Sequence, residues 1–276
     1  NVVGFYTLRI WEAGRKRKSL IINSSLFVGL IAFPMVISLI NYNNYDPKFS
    51  GSINVTMLQP ELDPYNEKYQ KDSIQIVTEL LDIASKNSSI KTKSGTESIN
   101  LYLAPETSFP GPGSISERGL DNSLTINMIN NFLQLHPKSV FMGGVSTHYV
   151  YENESEKNDK SKTASFHPLS QVWYDEYNSA IQIIPNLKPE IYHKGKLVPG
   201  VEIFPYISSF KPLLGDVMLN LGGTTRSLGI DNERVSFSNP YNNAKIAPVI
   251  CYESIYGEFT TEYIKKGANV LTIVTN

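Results

Sequence analysis

The stretch Lys245-Ile246-Ala247-Pro248-Val249-Ile250-Cys251-Tyr252-Glu253-Ser254-Ile255-Tyr256-Gly257 decides how this chain is read. Residues 245–250 form a short apolar run of the kind that makes a buried strand. Residues 255–266 read as a helix, closed by Gly267-Ala268. Cys251, the single cysteine of the 276 residues, therefore falls at a strand-to-helix turn. A thiol there lies at a sheet edge and near a helix N-terminus, whose partial positive charge favours thiolate over thiol. Two readings are open: a catalytic nucleophile, which needs partners elsewhere in the chain, or a buried structural cysteine.

Candidate partners stand at two other places. A strand over residues 98–104 runs into Pro105-Glu106-Thr107-Ser108-Phe109-Pro110. A carboxylate at a strand end faces solvent or a cleft, so Glu106 is either a general base or a solvated loop acid. Tyr192-His193-Lys194-Gly195-Lys196-Leu197-Val198-Pro199 follows, then Gly200-Val201-Glu202 and Phe204-Pro205. A lysine held against such an apolar stop can stabilise an oxyanion; a solvated lysine is the plain alternative.

In this order, strand-Pro-Glu, Tyr-x-Lys-x-x-Leu-Val-Pro and strand-Cys-Tyr-Glu resemble the nitrilase (carbon–nitrogen hydrolase) superfamily. Leu197-Val198-Pro199-x-x-Glu202 and Ile250-Cys251-Tyr252-Glu253 look like one branch, the apolipoprotein N-acyltransferases. The resemblance covers roughly residues 20–276. It implies an α/β fold, a nitrilase-like four-layer αββα sandwich preceded by a transmembrane helix. It implies Glu106, Lys194 and Cys251 as the catalytic trio, supported by Glu202, Tyr252 and Glu253. The family has Phe-Gly where this chain has Gly200-Val201, and Tyr65 stands in for a family tryptophan. Two apolar loops, residues 203–207 with Phe204 and residues 210–214, would meet lipid and keep water from the site.

The implied chemistry needs no cofactor and no metal; the four histidines are scattered without ligand spacing. Glu106 takes the thiol proton, Lys194 faces the oxyanion, and an acyl-thioester forms on Cys251. The implied partners are a phospholipid acyl donor, a diacylglyceryl apolipoprotein acceptor and the membrane. One rival is a soluble nitrilase-type amidase or carbamoylase, which shares the trio. Another is a membrane-tethered binding module with a merely buried Cys251.

Charge bears on these choices. With 25 basic and 26 acidic residues the chain lacks the basic footprint of a nucleic-acid binder. The balance is uneven, because residues 1–18 hold Arg9, Arg15, Lys16, Arg17 and Lys18 against Glu12 alone. Residues 19–45 then carry no charge. That length suffices to cross a bilayer as a helix, and Pro34 is tolerated there. A signal peptide has a shorter apolar region and a small-residue cleavage site, which Asn41-Tyr42-Asn43-Asn44-Tyr45 does not supply. The expected organisation is a cytoplasmic basic segment over 1–18, a membrane helix over 19–42 and a C-terminally incomplete nitrilase-like domain over 50–276. The basic cluster puts that domain across the cytoplasmic membrane, on the periplasmic side, as part of a multi-pass protein.

Within the domain, residues 52–58 alternate as a first strand. Residues 66–86 predict a helix with Ile74, Val77, Leu81 and Ala84 on its buried face. A second helix is expected over 122–135 and a strand over 139–145, where Gly143-Gly144 permits a close approach. Residues 152–162 read as a solvated loop. Strands over 171–174 and 179–184 flank an expected turn at Asp175-Glu176-Tyr177-Asn178, and residues 269–275 form the last strand.

Overall fold

The computed structural model describes residues 2–12, 17–45, 53–60, 71–87, 99–110, 113–203 and 227–275. The chain divides into two units, Asn1–Ser50 and Gly51–Asn276.

The first unit holds α1 (Val2–Glu12) and α2 (Arg17–Asn44), with Pro34 inside the second helix. Residues Lys18–Asn44 form a helix long and apolar enough to cross a membrane. Asn23 donates to its own helix at Ser19 O, 2.8 Å away, and lies with Ser24 on the half-buried side of α2. The N-terminal basic segment thus contains a helix of its own.

The second unit is layered. One sheet has the order β1 (Ile53–Met57), β2 (Ile99–Leu103), β4 (Ser139–Tyr151), β6 (Val172–Ile183) and β5 (Ser165–His167). The short β3 (Ile115–Ser116) joins β4, and β7 (Glu190–His193) joins β6. β1, β2 and β4 run parallel; β6 returns antiparallel to β4. On its outer face lie α3 (Ser73–Asn87) and α4 (Leu124–Gln134). Ile76, Val77 and Leu80 of α3 pack with Ile126, Ile129 and Phe132 of α4 against Tyr102, Phe141 and Ile181 of the strands. The buried stripe of α3 is therefore turned from the expected one. Ile74 is exposed, and Ile76 and Leu80 take the core positions.

A second sheet, β10 (Val270–Val274), β9 (Lys245–Ile250) and β8 (Phe237–Ser238), faces the first. Leu101, Val140, Met142 and Ala180 from one sheet share a cluster with Ile246 and Ile250 from the other, and Thr272 Oγ1 reaches Met142 Sδ at 3.5 Å across the gap. Residues Ile246–Ile250 are buried on both faces of the strand, which is why they read as an unbroken apolar run. Phe259 and Tyr263 of α6 (Gly257–Lys265) join the same cluster. The architecture is the expected α/β sandwich of facing sheets with helices outside.

Two local expectations are corrected. The turn at 175–178 does not exist. β6 runs straight through it, because Asp175, Glu176, Tyr177 and Asn178 pair with Tyr149, His148, Thr147 and Ser146 of β4. Cross-strand pairing overrides the local turn preference of Asp and Asn. The polar segment after β4 carries a short helix, α5 (Glu154–Asn158), rather than a plain loop.

Candidate active site

Cys251 directly follows β9, which pairs in parallel with β10 from Ile246↔Val270 to Ile250↔Val274. Its φ is +44°, a left-handed conformation that costs an L-residue about 1–3 kcal/mol and is kept where the surroundings enforce it. The enforcing group is Glu253, fully buried two residues on. It accepts from Ile250 N at 2.8 Å with one oxygen, and from Gly195 N at 2.6 Å and Tyr192 OH at 2.7 Å with the other. A single carboxyl thus clamps the cysteine turn to the end of β7, where Lys194 begins. Burial pushes the Glu253 carboxyl up, against the pull of its donors.

Lys194 is 1 % exposed. Its Nζ lies 2.8 Å from Glu106 Oε1 and 2.9 Å from Glu202 Oε1. Burial alone would lower its pKa; the two carboxylates outweigh this and raise it, so the side chain is an ammonium. Glu202 is held in turn by Val198 N at 2.8 Å from its second oxygen. This explains the Leu-Val-Pro-x-x-Glu spacing: the turn after Leu197 folds the glutamate back onto the lysine.

Glu106 follows β2 in a loop whose next residue, Thr107, also has positive φ. The loop crosses β4 at Gly144. A Cβ on Gly144 would sit 2.5 Å from Glu106 Cα and closer still to Thr107 N, so only glycine lets this backbone pass. Gly144 N donates to Pro105 O at 2.9 Å and Ser108 N to Gly144 O at 2.9 Å, fixing the crossing.

Cys251 lies within hydrogen-bonding reach of both Glu106 and Thr275. Burial first, then the charge of Glu106, push its thiol up; the Thr275 bond and Lys194 pull the other way without prevailing. The resting group is a thiol beside a carboxylate. This reverses the thiolate expected from a helix N-terminus. A single turn of 3₁₀ helix (Cys251–Ile255) begins at the cysteine, and α6 begins only at Gly257.

The structure therefore brings Glu106, Lys194, Glu202 and Cys251 together, with Glu253 beneath them. Tyr252 packs edge-to-face on Tyr256, ring centres 5.3 Å apart. Tyr65 and Phe204 lie outside the described residues. Sequence reasoning missed one residue. Asn178, in the middle of β6, donates from Nδ2 to Glu106 Oε1 at 2.8 Å and to Glu202 Oε1 at 2.7 Å. Its backbone oxygen accepts from Lys194 N at 2.8 Å. The only sequence signal was an amide among strand-forming neighbours, masked by the acids before it. Two hollows of about 260 and 330 Å³ elsewhere on the unit, one near Gln182 and Asn239 and one near Ile74 and Leu124, include none of these residues.

A carboxylate beside a thiol on a strained turn can take that thiol's proton, and a buried ammonium next to it can meet an oxyanion. No family model matches the chain. Curated proteins do. It is 27% identical over 233 residues to apolipoprotein N-acyltransferase 1 of Treponema denticola, covering 80% of this chain and 39% of that protein. The curated proteins it is similar to are named apolipoprotein N-acyltransferases. The enzyme of Chlorobaculum tepidum is 24% identical, over 82% of this chain and 40% of its own length. That of Borreliella burgdorferi is 25% identical over 264 residues, 94% of this chain and 42% of its own. The chain thus spans about two fifths of the curated relatives it matches. Among solved structures, a nitrilase-superfamily protein of Saccharomyces cerevisiae aligns with a TM-score of 0.49 at 13% identity, over 84% of this chain and 67% of that one.

Proposed function

We propose that the chain carries the catalytic centre of an apolipoprotein N-acyltransferase. In this reading Glu106 is the general base, Lys194 with the Tyr252 N–H faces the oxyanion, and Cys251 is the nucleophile. The observation that carries it is the convergence of Lys194 on Glu106 and Glu202 beside the Cys251 turn, in a chain whose curated relatives bear that name.

Glu106 takes the proton of Cys251 as sulfur attacks the ester carbonyl of a phospholipid. Lys194 and the N–H after the nucleophile stabilise the tetrahedral oxygen; one such donor is worth about 3–4 kcal/mol. Collapse gives an acyl-thioester and a lysophospholipid, which takes the proton from Glu106. The α-amine of a diacylglyceryl-cysteine then attacks the thioester, with Glu106 as base again, so the kinetics are ping-pong. Lys18–Asn44 is the anchor that keeps the site beside lipid, with the basic cluster on the cytoplasmic side and the globular unit on the periplasmic side. Glu253 positions the turn and Tyr252 lines its mouth. Phe204 and Tyr65 are the proposed lipid contacts.

The test uses the intact protein in membranes with an acyl-labelled phospholipid and a diacylated lipopeptide. Transfer of label to the peptide amine, lost in Cys251→Ala, is expected. Release of label only as free fatty acid, or turnover of small amides in place of lipid, would instead favour a hydrolase of the amidase kind, which shares the same three residues.

A further inference from the structure

We propose that Asn178 is a positioning residue that decides which oxygen of Glu106 carries the catalytic proton. The inference rests on the assignment of Glu106 as the base. Lys194 Nζ and Asn178 Nδ2 each donate to the same two atoms, Glu106 Oε1 and Glu202 Oε1, at 2.7–2.9 Å. Donors and acceptors alternate around a closed ring of four. A carboxylate oxygen offers about two lone-pair sites, so Oε1 of Glu106 is filled by these two N–H groups.

The amide has one allowed orientation. Turned over, its oxygen would face two carboxylate oxygens with no proton between them. Held as it is, Asn178 Oδ1 is buried and has no hydrogen-bond partner among the described residues. A buried amide that leaves its own oxygen unsatisfied while donating twice to carboxylates serves the carboxylates, not its strand. The main chain reinforces this, since Asn178 O also accepts from Lys194 N.

The consequence is chemical. When the Cys251 sulfur bonds to the ester carbon, the carbonyl π pair moves to oxygen and the thiol proton moves to Glu106. With Oε1 occupied, the proton lands on Oε2. On collapse the ester C–O bond breaks, its electron pair stays on the departing glycerol oxygen, and the Oε2 proton goes to that oxygen. Lys194 stays an ammonium and the ring does not change. Without Asn178, Oε1 has an open lone pair and competes with Oε2 for the proton.

The experiment follows thioester formation on Cys251 against pH in the intact protein with phospholipid. It compares the parent, Asn178→Leu, Asn178→Asp and Glu106→Gln. Asn178→Leu, nearly isosteric but without donors, should lose roughly 10- to 100-fold in rate with phospholipid KM changed less than about twofold. Asn178→Asp donates only while protonated, so its rate should fall as pH rises through the range in which the parent gains. A merely structural Asn178 would reduce the amount of folded protein and leave the shape of the profile alone. An Asp variant with the parent's profile, or a Leu variant within about twofold of the parent, overturns the proposal. Should the Leu variant not fold, the Asp profile decides by itself. Activity surviving in Glu106→Gln would remove the base assignment, whereas an inactive Glu106→Gln beside parent-like Asn178 variants would remove only the role given to Asn178.

Discussion

Replacing Lys194 by Met should weaken the globular unit in a way that depends on pH with a definite sign. The lysine is fully enclosed, and its Nζ bonds Glu106 and Glu202 at 2.8 and 2.9 Å. Methionine fills most of the volume but leaves two buried carboxylates facing each other across Asn178. Breaking a buried pair by removing one partner costs about 3–5 kcal/mol. For a unit of this size that is a fall in Tm of roughly 6–20 °C. In the parent, the pKa of Lys194 is raised, so the pairing is complete below the ordinary lysine range and is lost only as pH climbs through the raised value. In the variant, repulsion and burial make one carboxyl hold its proton above the usual carboxylate range. A group whose folded pKa is raised contributes stability at acid pH and loses it as pH rises. The deficit should therefore be largest near about pH 8 and shrink toward about pH 5. Trp173 lies in β6, and the other tryptophan, Trp11, lies in α1, so mutating Trp11 leaves a single reporter of the globular unit. Equal melting of parent and variant near pH 8, or a deficit that grows on acidification, would refute the enclosed-triad reasoning.

Other consequences can be measured on the same protein. The Cys251 thiol should alkylate with iodoacetamide with a midpoint above the free-thiol value of about 8.5, and Glu106→Gln should bring that midpoint down, since the carboxylate raises it; an upward move would contradict the geometry. Gly144→Ala places a methyl against the Glu106–Thr107 backbone and should displace Glu106, lowering turnover by roughly 100-fold at a stability cost of about 1–3 kcal/mol, read as kcat beside a melting curve. Glu253→Ala leaves the donors of Ile250, Gly195 and Tyr192 without an acceptor, at about 1–3 kcal/mol each, so little folded unit should remain, judged by limited proteolysis.

The parts of this site that could be read from sequence share a cause. Residues 245–250 read as a buried strand because both of its faces are covered, and Cys251 follows where that coverage stops. Glu106, Lys194 and Cys251 each stand just past a strand end, so local punctuation by Pro105, Gly195 and the Cys-Tyr-Glu turn marked them. What sequence could not show depends on partners distant in the chain. Asn178 looked like a turn residue because its role is set by β4 alongside and by carboxylates 72 positions before and 24 after it. The core stripe of α3 was placed a fraction of a turn away, since Ile74 and Ile76 are equally apolar and only the packing of α4 chooses between them. The Cys251 thiol is pushed up rather than down because burial, joined by Glu106, outweighs the Thr275 bond and Lys194, and neither burial nor these partners is visible in the local sequence.

Intact-mass and peptide mass spectrometry of the protein, after brief mixing with phospholipid and no acceptor, bears most directly on the catalytic claim. One acyl chain attached at Cys251 by a hydroxylamine-labile bond, discharged when a diacylated lipopeptide is added, is the result predicted. Acyl transfer that proceeds with no adduct at Cys251, or undiminished in Cys251→Ala, would contradict it.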